Sequence, residues 1–185
     1  ALDAGAKRIS IELLNGGKTL IKIADDGIGM TPEEAALSLR RHATSKLQNA
    51  DDLFSIKTLG FRGEALPSIA SISKLTLLTK ARNTAAAEPG FEIIIEGGKA
   101  ISKKAQAATV GTIIKVEDIF TNVPARLKFL KSDATELGHI TTLVSKFIIG
   151  SPDVSFTLVA NGKTIVQSPG SAQNDLESVR SAATV

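Results

Sequence analysis

Two stretches of alternating apolar and polar residues, joined by Asn-Gly, constrain the fold most. Ile9, Ile11 and Leu13 alternate with Ser10 and Glu12; Thr19, Ile21 and Ile23 repeat the pattern after Asn15-Gly16. A period of two belongs to a strand with one buried face, and Asn-Gly tolerates the positive φ of a tight hairpin turn. Residues 8–14 and 18–25 are therefore predicted to form an antiparallel hairpin. A second hairpin is predicted over 154–159 and 163–166, turning at Asn161-Gly162. Residues 75–80, 91–96 and 112–118 read as further strands. Thr31-Pro32-Glu33-Glu34 has the residues of a capping box with proline in the first helical turn, so a helix should run from there to about residue 41. Short helices are expected over 65–72 and 124–130. Leu137, Ile140, Val144, Phe147 and Ile148 recur at helical spacing and predict an amphipathic helix over 133–149. Residues 42–57 and the Ala-rich 81–90 read as loops. Strands and helices mix without a βαβ rhythm, which indicates an α+β fold with helices packed on a largely antiparallel sheet.

The 185 residues suffice for one domain with a real core. Without cysteine, neither a disulfide framework nor a Cys-based zinc site can form. The two histidines, His42 and His139, are too few and too far apart to suggest a metal cluster, and His42 reads as a structural or surface residue. No apolar run has the ~18 residues needed to span a bilayer, and no signal segment opens the chain. The expectation is a soluble intracellular protein. The net charge of +3 permits a polyanionic partner without demanding one. The opening Ala1-Leu2-Asp3-Ala4-Gly5-Ala6 has no initiator Met and reads as a fragment of a longer protein.

Five motifs carry possible chemistry. Asp25-Asp26-Gly27-Ile28-Gly29 follows a strand; a carboxylate there can accept from an exocyclic amine such as adenine's, and glycines let a flat base approach the backbone. Leu59-Gly60-Phe61-Arg62-Gly63-Glu64-Ala65-Leu66 is glycine-rich backbone opening a helix, which presents N–H groups to a phosphate, though it lacks Walker A spacing. Arg41-His42-Ala43-Thr44-Ser45-Lys46 offers two hydroxyls and an ammonium suited to sugar and phosphate. Gly111-Thr112 opens a strand with a hydroxyl that could join the hydrogen bonds around a base, directly or through water. Phe120-Thr121-Asn122-Val123-Pro124-Ala125-Arg126 is followed by Lys128 and Lys131, which would share a face if the helix continues and could neutralise DNA phosphates. Taken singly, each is equally what an acidic turn, a helix start or a solvated basic loop looks like.

In this order the motifs, together with Leu2-Asp3-Ala4-Gly5-Ala6, resemble the MutL family of DNA mismatch-repair proteins over essentially the whole chain. Gly60 to Leu66 is the most specific piece, and Pro67-Ser68-Ile69-Ala70-Ser71 has a bacterial look. The resemblance implies membership of the ATPase superfamily of gyrase B, heat-shock chaperones and histidine kinases. The fold implied is a two-layer sandwich of helices on a mixed, mostly antiparallel sheet, the Bergerat-type ATP-binding fold. It also implies roles. Asp25 would bind the adenine amine, Gly27 and Gly29 would shape the base pocket, and Thr112 would support Asp25. Thr44, Ser45 and Lys46 would line the ribose and phosphates. Gly60, Phe61, Arg62, Gly63, Glu64, Ala65 and Leu66 would form a lid over the phosphates once ATP arrives. Arg126, Lys128 and Lys131 are the candidates for DNA contact.

ATP and Mg²⁺ are the implied cofactors. DNA, a second copy or a paralogue closing through ATP-dependent dimerisation, and a MutS-family mismatch-recognition protein are the implied partners, with no membrane. The implied location is the bacterial cytoplasm and nucleoid, or the nucleus of a eukaryote. The general base and the Mg²⁺-binding Asn of the family fall a few positions before Asp3, upstream of Ala1. The expectation is thus an ATP-binding domain over 1–168 lacking its N-terminal catalytic helix, with weak or no turnover and some apolar surface bare. Residues 169–185 would be a linker and the start of a truncated second α/β domain. The rival reading is a nucleotide-independent DNA-binding or scaffold module, resting on the pI of about 9.2 and the basic helix.

Overall fold

The alternating segments assemble into one eight-stranded sheet in the order β5-β4-β3-β6-β2-β1-β7-β8. The strands are β1 Arg8–Leu14, β2 Leu20–Asp25, β3 Lys74–Lys80, β4 Gly90–Glu96, β5 Lys99–Gln106, β6 Gly111–Glu117, β7 Ser155–Ala160 and β8 Lys163–Ser168. The structure, a computed structural model, describes residues 1–40 and 63–170. Every neighbouring pair is antiparallel except β1 with β7, which is parallel. The expected α+β class and mixed sheet are therefore observed. The predicted 42–57 loop and all but residues 169 and 170 of the 169–185 segment lie outside the described residues.

The helices are α1 Pro32–Ser38, α2 Ala65–Ser71, α3 Pro124–Leu127 and α4 Asp133–Gly150. The predicted capping box of α1 is present: Glu34 N donates to Thr31 Oγ1, and Thr31 N donates to Glu34 Oε2. This helix stops short of the predicted residue 41. Its end tightens as Ser38 Oγ donates to the Ala35 carbonyl and Arg40 N donates to the Leu37 carbonyl, leaving Leu39 as the cap.

Two buried clusters lie on the same face of the sheet. Beneath α4, Val144 packs on Ile9, Ile11, Leu13, Phe156 and Leu158, with Leu137, Ile140, Phe147 and Ile148 of the predicted stripe joining them. Beneath α1 and α2, Ala35 and Ala70 pack on Leu75, Leu77, Ile93, Ile95 and Val116. Ile21 on β2 touches both clusters. Between them the cover is thinner. Ile23 shares a cross-strand row with Leu77, Ile114, Ile11 and Leu158, yet is 37% exposed while Leu77 and Leu158 are fully buried. Among the described residues the cover on this face is therefore thinnest over a strip at Ile23, two residues before Asp25.

The turn at Asn15-Gly16 and the number of strands also depart from expectation. Asn15-Gly16 does not make a two-residue turn: Leu14 pairs with Leu20, and Asn15, Gly16 and Gly17 all take positive φ in a wider loop. Residues 99–106 form an unpredicted edge strand. They hold one large apolar residue, Ile101, among Lys99, Lys103 and Lys104, the charged composition that protects an exposed edge. The predicted 81–90 loop is present, and the Lys80 ammonium ties it down by donating to the carbonyls of Ala86 (3.0 Å) and Glu88 (2.6 Å).

Candidate functional site

Register brings three polar residues from distant parts of the chain into one row. Thr79 on β3 pairs with Thr112 on β6, and Thr112 pairs with Asp25 on β2. Paired residues point to the same side of a sheet, here the side that carries the helices. The row lies at the end of the open strip marked by Ile23. It places a polar corner next to an apolar floor, the usual construction of a small-molecule site.

The two aspartates of the Asp-Asp-Gly motif have separated roles. Asp26 Oδ1 accepts from Lys7 N (2.7 Å) and Arg8 N (2.8 Å), and Oδ2 accepts from Arg8 Nε (3.0 Å). It fixes the approach to β1. Partial burial pushes its carboxyl pKa up, but the Arg8 N–H, the Arg8 guanidinium, the Lys7 N–H and the Arg8 charge outweigh that and hold it below the ordinary value. Asp25 is different. Its side chain is only 8% exposed; Oδ1 accepts from Gly27 N at 2.9 Å, and Oδ2 lies 3.8 Å from the Ala1 amino group. An ionised carboxylate has about four acceptor sites, so Asp25 keeps acceptor capacity in a largely desolvated place.

The glycines hold this corner by close backbone contact. Gly29 has φ +67°, and a Cβ there would strike the carbonyl of Lys80. Gly111 has φ +125°, and a Cβ there would strike the carbonyl of Asp25. Both glycines therefore set the spacing of strand ends around the row. The turn at 2–5 adds a wall, because Ile28 N donates to the Ala4 carbonyl at 3.0 Å.

Thr112 Oγ1 bonds Thr79 Oγ1 at 3.1 Å, and Thr79 also accepts from Met30 N and donates to the Gly111 carbonyl. Motif reading passed over Thr79. A threonine inside an apolar strand carries no local signal, and only the register reveals its neighbours.

Of the second motif, Gly63, Glu64, Ala65 and Leu66 are described. Gly63 has φ +65°, Glu64 precedes α2, Ala65 opens it, and Leu66 packs against the cluster beneath α2, as does Met30. Thr44, Ser45, Lys46, Gly60, Phe61 and Arg62 lie outside the described residues.

Arg126, Lys128 and Lys131 are all exposed but do not share a helical face. The helix ends at Leu127 with Lys128 as its cap. Phe129 and Leu130 then donate to carbonyls three residues back, and Ser132 adopts extended backbone to cap α4, its hydroxyl accepting from Thr135 N. Lys128 and Lys131 therefore lie on the turn between two helices, with Arg126 in the last turn of α3. This segment is tied to α2: Asn122 Nδ2 donates to the Ser71 carbonyl (2.8 Å), Phe120 N donates to the Ile72 carbonyl (2.7 Å), and the Arg126 guanidinium sits 5.9 Å over the Phe120 ring.

Among the described residues no group of three or more carboxylate, imidazole or thiol side chains could hold a metal ion. No described helix is long and apolar enough to cross a membrane.

Comparison with known proteins bears on the family and the fold. The family of histidine kinase-, DNA gyrase B-, and HSP90-like ATPases matches residues 1–118. The DNA mismatch repair protein MutL of Geobacter sulfurreducens is 52% identical over 165 residues, covering 89% of this chain and 27% of that protein. MutL of Dictyoglomus thermophilum is 50% identical over 179 residues, covering 97% of this chain and 30% of that protein. The chain thus spans little more than a quarter of the length of these relatives. The structure of the Aquifex aeolicus MutL ATPase domain complexed with ADP superposes with a TM-score of 0.74 at 28% identity, covering 98% of this chain and 62% of that one. With its mixed sheet, its motif order and these matches, the chain belongs to the histidine kinase-, DNA gyrase B-, and HSP90-like ATPase family and, within it, to the N-terminal ATPase domain of MutL mismatch-repair proteins.

Proposed function

We propose that the chain binds ATP at the Asp25–Thr112 corner and serves as an ATP-driven conformational and dimerisation switch in mismatch repair. The observation that carries this reading is the desolvated Asp25 carboxylate, with acceptor capacity to spare, at the end of an open apolar strip. An adenine laid on that strip would bury its flat faces and donate its exocyclic amine to Asp25. A hydrogen bond to a charged, sheltered acceptor is about twice as strong as a neutral one. Gly27 and Gly29 shape the turn beneath the base, and Thr112 supports the polar corner. Thr44, Ser45 and Lys46 belong to the ribose and phosphate side, and Gly60 to Leu66 to the phosphates. The ADP complex of the Aquifex aeolicus MutL domain supports a nucleotide ligand for this fold.

Switching then follows from differential binding. A ligand shifts a conformational equilibrium only by its preference for one state. On this reading Gly60 to Leu66 would contact the terminal phosphate, which ADP lacks, so ATP alone would favour the state that makes those contacts. Closure of two copies, or of this chain with a paralogue, around DNA would use that preference. Arg126, Lys128 and Lys131, all exposed, would contact DNA phosphates, and the Asn122 and Phe120 bonds to the end of α2 connect them mechanically to the element that Ala65 opens. A MutS-family protein would supply the mismatch signal, and Mg²⁺ would accompany the nucleotide phosphates; the described side chains build no site for it on their own.

The test is an equilibrium titration of ATP against the wild-type protein and Asp25→Asn. Asn presents an N–H₂ as well as a carbonyl and carries no charge, so affinity should fall about 10- to 100-fold. Unchanged affinity would remove Asp25 from the site.

A further inference from the structure

Thr79 is 1% exposed, and its hydroxyl oxygen meets three partners: Met30 N at 3.0 Å, the Gly111 carbonyl at 2.8 Å and Thr112 Oγ1 at 3.1 Å. A hydroxyl has one proton and two lone pairs. The Gly111 carbonyl can only accept, so it takes the Thr79 proton. The Met30 N–H can only donate, so it fills one lone pair. That settles the third contact: Thr112 donates its proton into the second lone pair of Thr79. The Thr112 oxygen is left with lone pairs alone for anything beside it. Asp25, its partner in the row, is likewise acceptor-only when ionised.

We propose that Thr79 is a specificity-determining positioning residue, which locks the Thr112 proton away from the ligand so that the Asp25–Thr112 corner offers acceptors only and selects a 6-amino purine over a 6-oxo purine. The inference rests on the reading of this corner as the adenine site. An amino group donates two protons to such a corner. An oxo group brings lone pairs against lone pairs, and a site whose buried polar groups are mismatched to the ligand rejects it strongly. Without the Thr79 hydroxyl, Thr112 regains a rotatable proton and can turn it toward an oxo group. Thr79 itself does not touch the base; it acts through Thr112.

The experiment measures the affinities of ATP and inosine triphosphate side by side, for wild type, Thr79→Val, Thr79→Ser, Thr112→Val and Asp25→Asn, in the full-length protein. Valine keeps the shape of threonine and removes the proton wiring, so the preference for ATP over ITP should fall about tenfold. Serine keeps the hydroxyl and should retain the wild-type ratio. A purely structural role would weaken both nucleotides together and leave the ratio alone. An unchanged ratio in Thr79→Val, with ATP binding still weakened by Asp25→Asn, overturns the Thr79 assignment and leaves the nucleotide site standing. Normal ATP affinity in Asp25→Asn overturns both. Should Thr79→Val fail to fold, Thr112→Val reads the same acceptor by removing it, and a wild-type ratio there contradicts the proposal.

Discussion

Asp25 and Asp26 are adjacent and chemically identical, and what separates them is where strand β2 ends. The last strand residue faces inward with spare lone pairs; the next already accepts three hydrogen bonds, from Lys7 N, Arg8 N and Arg8 Nε. The motif as a string locates the pair, but only the register and these bonds assign the roles. Asp26→Asn should therefore cost about 1 kcal/mol of stability while changing ATP affinity far less than Asp25→Asn. The sign of the pH effect follows from the depressed Asp26 carboxyl. A group whose folded pKa is lowered stabilises the fold above its unfolded value, about 3.9 for Asp, and loses that contribution as pH falls through the folded value. Denaturant melts stepped downward from pH 5 should show wild type losing stability more steeply than Asp26→Asn below about pH 4. Parallel curves would show that Asp26 gains nothing from its partners.

At the scale of elements, the segments with strong local signals were legible. The capping box at Thr31, the period-two alternation of β1, β2 and β7, and the helical stripe of α4 are each set by neighbours in sequence. The segments that escaped lack such signals. β5 is an edge strand whose composition serves solvent more than core, although Gly97-Gly98, both at positive φ, marks the tight turn before it. The end of α3 is decided by Ser132 capping α4, and the wide loop at Asn15 by the approach of the α4 N-terminus: a Cβ on Gly16 would lie 2.6 Å from the Asp133 carbonyl. The same reasoning gives a prediction for the turn between β2 and α1. Gly29→Ala places a methyl on the Lys80 carbonyl at positive φ, so it should destabilise by about 2 kcal/mol or more, read as a lower denaturant midpoint. A midpoint equal to wild type would mean that the turn can move away from β3.

At the scale of the whole molecule, the α+β class was legible from the absence of a βαβ rhythm, but the strand order was not. The parallel pairing of β1 with β7 joins segments at opposite ends of the described chain, and no local pattern encodes it. Separately, the insertion of β6 between β3 and β2 creates the Thr79–Thr112–Asp25 row, beside which Ile23 stays exposed. The site is thus a property of topology, with its chemistry supplied by motifs. The basic turn lies apart from this row, so Arg126→Glu should weaken DNA binding and flatten its salt dependence without altering ATP affinity, measured by DNA titrations at several salt concentrations. Unchanged DNA affinity and slope would take Arg126 out of the contact surface. Whether the Asp25 corner receives adenine is decided by a crystal structure of the protein with ADP bound. The exocyclic amine is expected about 3 Å from an Asp25 carboxylate oxygen, with the base over the Ile23 strip. A base bound elsewhere, or one turning a different edge to Asp25, would contradict it.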